Sequence, residues 1–106
     1  MQVWNFEGKT VAITGAAQGI GRMVAEGVTQ GGGKVIILDL NEEKAKATAE
    51  EIGNSVAYKI DLGNCVNIRE VMAKVIEDNK RIDVLINCGG IVSRTFFEDL
   101  TDDEWQ

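Results

Sequence analysis

The sequence predicts an α/β fold: a parallel sheet of strand order 3-2-1-4 with helices on both faces. Three observations carry this. Short apolar runs alternate with stretches of helical period, with no internal repeat, low-complexity tract or linker between them. The run Val35 to Leu38 is continuously apolar, the pattern of a central parallel strand covered on both faces. Right-handed crossovers between successive strands then set the order and place the third helix opposite the first two.

Each element has its own signal. The first strand is Thr10 to Thr14, and it breaks into the glycine-rich stretch Gly15 to Gly21. The first helix carries Ile20, Met23, Val24, Gly27 and Val28 at i, i+3, i+4, i+7 and i+8, which predicts one buried stripe. Gly31-Gly32-Gly33 ends it. After the second strand, Asn41 suits an N-cap, and Glu42 and Glu43 suit the first turn of the second helix. Ala45, Ala49 and Ile52 face inward there, and Gly53 closes the helix.

The third strand, Ser55 to Ile60, alternates Val56, Tyr58, Ile60 against Ala57, Lys59. That is an edge pattern, with Lys59 discouraging pairing to another chain. The third helix carries Ile68, Val71, Met72, Val75 and Ile76 as a stripe, with Asn79 as its left-handed C-cap. The fourth strand, Ile82 to Ile86, ends at Asn87. In the order 3-2-1-4 it becomes an edge without a protecting Lys or Pro, so it is expected to pair with further chain or drive association.

Composition narrows the function. The net charge is −6, and the acids are spread along the helices, which argues against a nucleic-acid partner. No run approaches membrane-spanning length, and Met1 to Lys9 does not read as a signal peptide, so a cytoplasmic protein without a membrane partner is expected. There is no histidine, and the two cysteines are far apart, so His-based triads, zinc sites and disulfide scaffolds are not expected.

The stretch Val-Ala-Ile-Thr-Gly-Ala-Ala-Gln-Gly-Ile-Gly, Val11 to Gly21, carries the chemistry. Gly15 allows the sharp turn out of the strand. Gly19 lets backbone N–H groups approach a pyrophosphate, and Gly21 lets the helix pack closely on the sheet. The helix N-terminus adds unpaired donors and a positive dipole end. Asp39 closes the next strand about 20 residues on, as a ribose-binding acid does in a Rossmann-type fold.

These motifs resemble the short-chain dehydrogenase/reductase family. The likeness rests on Thr14-Gly15-x-x-x-Gly19-Ile20-Gly21, with Gly8-Lys9, Asp39, Asp61-Leu62, Arg81 to Asn87, and Asp99-Leu100-Thr101 through Trp105. It implies a nicotinamide dinucleotide as cofactor, a small-molecule carbonyl or alcohol as substrate, and a homo-oligomer. Asp39, an anion where a 2′-phosphate would sit, with Leu40 and no Arg or Lys after it, predicts NAD(H) over NADP(H). It implies that Thr14, Gly15, Gln18, Gly19, Ile20 and Gly21 surround the pyrophosphate and adenosine. Asp39 would accept from the adenosine ribose hydroxyls, and Asp61 would bond the adenine amino group with Leu62 beside the ring. Asn87, Gly89 and Gly90 would line the ribose and brace the sheet.

One departure is local: the family reads Asn-Asn-Ala-Gly where this chain reads Asn87-Cys88-Gly89-Gly90. The other is larger. The family's catalytic Asn, Ser, Tyr and Lys lie downstream of the helix signalled by the capping box Thr101-Asp102-Asp103-Glu104, so no catalytic residue carries over. The expectation is therefore an N-terminal cofactor-binding part, residues 1–106, cut at the start of the fourth helix and inactive alone. The alternative is a non-catalytic half-fold that binds an adenine nucleotide or a partner chain.

Plainer roles stand beside these. Asp61 also suits the start of a loop or a cap for the third helix, and Asn87 a strand terminator. Cys65 and Cys88 read as small buried hydrophobes, since nothing near them in sequence would lower a thiol pKa. Gly8-Lys9-Thr10 is no phosphate-binding loop, because position 3 is Val3 and the triplet precedes its strand. Trp4, Phe6, Phe96, Phe97 and Trp105 read as packing residues.

Overall fold

The computed structural model describes residues 5–88. Within them β1 (Thr10–Thr14), β2 (Lys34–Asp39), β3 (Ser55–Lys59) and β4 (Val84–Asn87) alternate with α1 (Gly19–Gln30), α2 (Glu42–Ile52) and α3 (Cys65–Asn79). All pairings are parallel and the order is β3-β2-β1-β4, as expected. Trp4, Gly89, Gly90, Phe96, Phe97, the Thr101 capping box and Trp105 lie outside the described residues.

The sheet divides two apolar layers. On one side Val11, Ile13, Val35 and Ile37 pack with Ala16, Ala17, Ala25, Val28, Ala45 and Ala49, the residues of α1, α2 and the loop between β1 and α1. On the other, Ala12, Ile36 and Leu38 meet Ile60 and the α3 residues Ile68 and Val75. β1 and the apolar residues of β2 are therefore buried on both faces. Each fully buried Val or Ile contributes about 2 kcal/mol by its removal from water, which makes these two layers the main source of stability.

The α1 stripe keeps Val28, which is buried, and Val24, which packs against the core, but loses Ile20 and Met23. Gly21, Ala25 and Val28 are the buried positions, whereas Ile20 is 75% and Met23 69% exposed. The periodicity is helical either way. The choice of face follows from the close seat of α1 on the glycine loop, which only small residues permit. In α3, Ile68 and Val75 are buried as expected, but Ile76 is half exposed, and Cys65, expected to be buried, is exposed in the first turn of the helix, where it faces solvent; Cys88 is half-buried.

The α3 terminus also shifts. Lys80, not Asn79, takes the left-handed conformation, at φ 73°. Asn79 stays helical because its amide is engaged: Oδ1 accepts from Lys34 Nζ at 2.7 Å, and Nδ2 donates to Val75 O at 2.8 Å and Tyr58 Oη at 3.0 Å. Tyr58 in turn donates to Asp78 Oδ2 at 2.8 Å. Burial, reinforced by Asp78, raises the Tyr58 pKa, so the phenol stays protonated as a donor.

β3 is the expected edge. Val56 and Tyr58 turn to the α3 layer and Ala57 to the opposite one. β4 begins at Val84, later than expected, and is the other edge, with Val84 37% and Leu85 38% exposed. Asp83 anchors its start: Thr10 N–H donates to Asp83 Oδ2 at 2.8 Å, and Asp83 N–H donates to Thr10 O at 2.8 Å. The Arg81 guanidinium first, and the Thr10 N–H second, hold the Asp83 carboxyl below the usual carboxylate range. A depressed folded-state pKa stabilises above the unfolded value near 4 and is lost as pH falls through the folded one. Acid unfolding below about pH 4 should therefore be shallower in Asp83→Asn than in the parent, by circular dichroism; identical acid limbs would rule out this role.

Candidate cofactor-binding site

In an open parallel sheet, ligands bind beyond the carboxyl ends of the strands, where successive connections run in opposite directions. Here that point lies between β1 and β4. The loop from β1 to α1 leaves the sheet beside it. Gly15 turns at φ 69° while its N–H still donates to Leu38 O at 2.8 Å, so the turn begins while the chain is still paired to β2. Gly19, at φ 65°, opens α1. A Cβ built on Gly21 would stand 2.1 Å from Gly15 O, which shows how closely the first turn of α1 lies on the loop.

The first turn of α1 carries no acidic residue, and its N-cap, Gln18, makes no side-chain cap bond. The helix end thus keeps the donor character that an anion needs. Gln18 instead accepts from Lys44 Nζ at 2.6 Å through Oε1. Lys44 lies on α2 and brings an ammonium to the loop, which the pattern around Asp39 and Leu40 did not place there.

The β2–α2 unit holds the loop from outside. Asp39 Oδ2 accepts the Ala17 N–H at 3.2 Å, and Oδ1 accepts the Asn41 N–H at 3.0 Å. Thr48 Oγ1 donates to Ala17 O at 2.7 Å. Asn41 caps α2 as expected, accepting from the Lys44 N–H at 3.0 Å. Arg22 ties α1 to α2 through Glu51 at 2.8 Å, and the Glu51 and Glu26 side chains raise its pKa.

The other expected residues fall into two groups. Thr14 is buried beneath the loop and braces it: its hydroxyl donates to Asn87 Oδ1 at 2.6 Å and accepts the Cys88 N–H at 3.1 Å. Thr14 thus ties the start of the loop to Asn87 and the end of β4. Ile20, at the helix start beside the loop, is exposed and lies outside the core stripe.

Asp61 and Leu62 follow the end of β3. Asp61 Oδ1 accepts the Gly63 N–H at 2.9 Å, and the Asp61 N–H donates to Asn67 Oδ1 at 2.7 Å, so this acid organises its own turn. The α3 cap is Asn64, which accepts the Asn67 N–H at 3.0 Å. Leu62 lines a shallow apolar groove with Leu38, Ile60, Ile68, Met72 and Leu85 over Thr14.

Sequence reasoning passed over Thr48 and Lys44. Thr48 had a signal, since it stands three residues after Ala45 on the inward face of α2. Lys44 had none, because its role depends on how α2 lies against the loop. Among the described residues, no group of three or more His, Cys, Asp or Glu could hold a metal ion. None of the described helices is long and apolar enough to cross a membrane.

The chain is similar in sequence and fold to known proteins. The family model for short chain dehydrogenase matches residues 9–106. The 3-oxoacyl-(acyl-carrier-protein) reductase FabG of Escherichia coli (strain K12) is 33% identical over 102 residues, covering 95% of this chain and 42% of that protein. The 3-ketoacyl-(acyl-carrier-protein) reductase of Brucella melitensis, complexed with NADH, superposes with a TM-score of 0.71 at 31% identity, covering 74% of this chain and 33% of the other. The Pseudomonas aeruginosa RhlG/NADP active-site complex gives 0.75 at 29%, covering 78% and 35%. The chain thus spans less than half the length of these relatives. With the matched model, the parallel sheet and the glycine loop in agreement, this chain belongs to the short-chain dehydrogenase family.

Proposed function

We propose that this chain is the cofactor-binding part of an NAD(H)-dependent oxidoreductase that transfers hydride between the nicotinamide and a carbonyl or alcohol. The observation that carries the reading is the α1 N-terminus at the β1–β4 crevice, free of acidic residues in its first turn and held by Asp39 and Thr48. Gly15, Gln18, Gly19, Ile20 and Gly21 form the pyrophosphate side. Asp39 faces the adenosine ribose, and Asp61 and Leu62 take the adenine. Thr14, Asn87, Gly89 and Gly90 brace and line the ribose side.

When bound, the nicotinamide supplies the hydride chemistry. The chain's own residues bind and orient the dinucleotide. No proton transfer is assigned to the proposed site residues: Asp39 and Asp61 accept loop N–H groups, and Tyr58 is engaged with Asp78 and Asn79 at the C-terminal end of α3. The setting we assign is a cytoplasmic homo-oligomeric enzyme acting on a small molecule.

The experiment is direct. The pure 106-residue chain should bind ADP-ribose in the micromolar to millimolar range, as followed by titration calorimetry, and should not turn over NADH with a panel of ketones. Absence of ADP-ribose binding would sink the cofactor reading. Steady NADH consumption would sink the assignment of proton transfer to residues outside this chain.

A further inference from the structure

Thr48 is the most deeply buried polar side chain among the described residues, at 1% exposure. It lies on an α2 face whose other inward residues are Ala45 and Ala49. A buried hydroxyl costs free energy unless it is hydrogen-bonded, so its partner is informative. That partner is neither on its own helix nor on the sheet. It is the carbonyl of Ala17, 31 positions away in the glycine loop, at 2.7 Å. Arg22 Nη1 approaches the same hydroxyl at 3.5 Å.

The consequence concerns the next peptide group. The described chain contains no cis peptide bond. In a planar trans peptide, the C=O of one residue and the N–H of the next point in opposite directions. With the Ala17 carbonyl drawn toward α2, the N–H of Gln18 is turned away from α2. The other side of Ala17 is held as well, because its N–H donates to Asp39 Oδ2 at 3.2 Å. Ala17 is therefore clamped at both of its backbone polar groups by the β2–α2 unit, immediately before the N-cap of α1.

We infer that Thr48 is a positioning residue that orients the Ala17–Gln18 peptide so that the Gln18 N–H faces an adenine nucleotide's ribose–diphosphate arm. This rests on the cofactor reading above. Thr48 does not touch the ligand; it acts through the loop. A valine there would fill the same volume without the donor, leaving the Ala17 carbonyl buried without that partner and the peptide free to rotate. A serine would keep the hydroxyl.

The test compares the parent, Thr48→Val and Thr48→Ser as 106-residue chains. ADP-ribose affinity is measured by calorimetry, the Gln18 amide by its NMR shift on adding ADP-ribose, and stability by thermal melting. Thr48→Val should bind about tenfold more weakly and lose the ligand-induced Gln18 shift, and Thr48→Ser should restore both. A Thr48→Val chain that melts lower but binds ADP-ribose like the parent, with the Gln18 shift intact, would show a structural role only and overturn the inference. If Thr48→Val does not fold, Thr48→Ser still decides: a folded serine chain without the Gln18 shift overturns it. A parent that binds nothing overturns the cofactor reading and this inference with it. A parent that binds while the variants match it overturns this inference alone.

Discussion

Gly21→Ala is expected to lower stability by about 3 kcal/mol, read as a fall in the urea midpoint, and to weaken ADP-ribose binding well beyond tenfold. The added methyl would stand 2.1 Å from the Gly15 carbonyl oxygen, and that neighbour is backbone, not the end of a flexible side chain. Relief requires α1 to lift from the loop, which disturbs the packing of Ala25 and Val28 and moves the helix N-terminus away from the proposed diphosphate site. Against a typical domain stability of about 5–15 kcal/mol, that loss is large. Gly27 provides the internal control. It lies in the same helix, but a Cβ there meets nothing within 4 Å. Gly27→Ala should therefore stabilise the chain by about 0.5–1 kcal/mol through helix propensity alone. Equal effects at the two glycines would mean that the close seat of α1 is not what Gly21 provides.

Asp39 should set a preference of about a hundredfold for NADH over NADPH, and Asp39→Asn should remove most of it. A carboxylate and a 2′-phosphate about 4 Å apart repel by about 4 kcal/mol at an effective dielectric of 20, and counterion screening of this exposed site lowers that to the roughly 3 kcal/mol of a hundredfold. Among the described residues Lys44 brings an ammonium to the loop through its bond to Gln18 Oε1 at 2.6 Å, and its charge offsets part of that repulsion. Asparagine is the better substitution because it keeps an oxygen to accept the Ala17 N–H, which Asp39 now holds at 3.2 Å. The quantity to measure is the ratio of NADH to NADPH dissociation constants, since loosening of the loop changes both together. Tighter binding of NADPH than of NADH by the parent would refute the assignment, and an unchanged ratio in Asp39→Asn would remove Asp39 from it.

Much of the fold was legible in the chain. The continuous apolar run of β2, the alternation in β3 and the glycine break after β1 led to the parallel sheet and its order, because those patterns report burial on two faces or on one. The Asn41 cap was legible because capping depends on a local spacing. The α1 stripe and the Asn79 cap were not. Two helical faces one residue apart have nearly the same periodicity; Val28 was on the expected face, and only contact with the loop selects Gly21 and Ala25 over Ile20 and Met23. Asn79 reads as a C-cap until Lys34 and Tyr58 arrive at its amide from other strands.

The sequence by itself determined the α/β class, the strand order, the family resemblance and the positions of the glycine loop and Asp39. These follow from local spacing, from the alternation of polar and apolar residues, and from the handedness of crossovers. Only the tertiary structure decided how the loop is held. The clamp on Ala17 joins Asp39, at the end of β2, and Thr48, in the middle of α2, to a loop that precedes both by more than twenty positions. Nothing in the local pattern records such a contact, because it exists only once α2 has packed beside α1. The side chains that aim the loop's peptides therefore emerge from packing, while the residues that make the loop possible are written in its glycines.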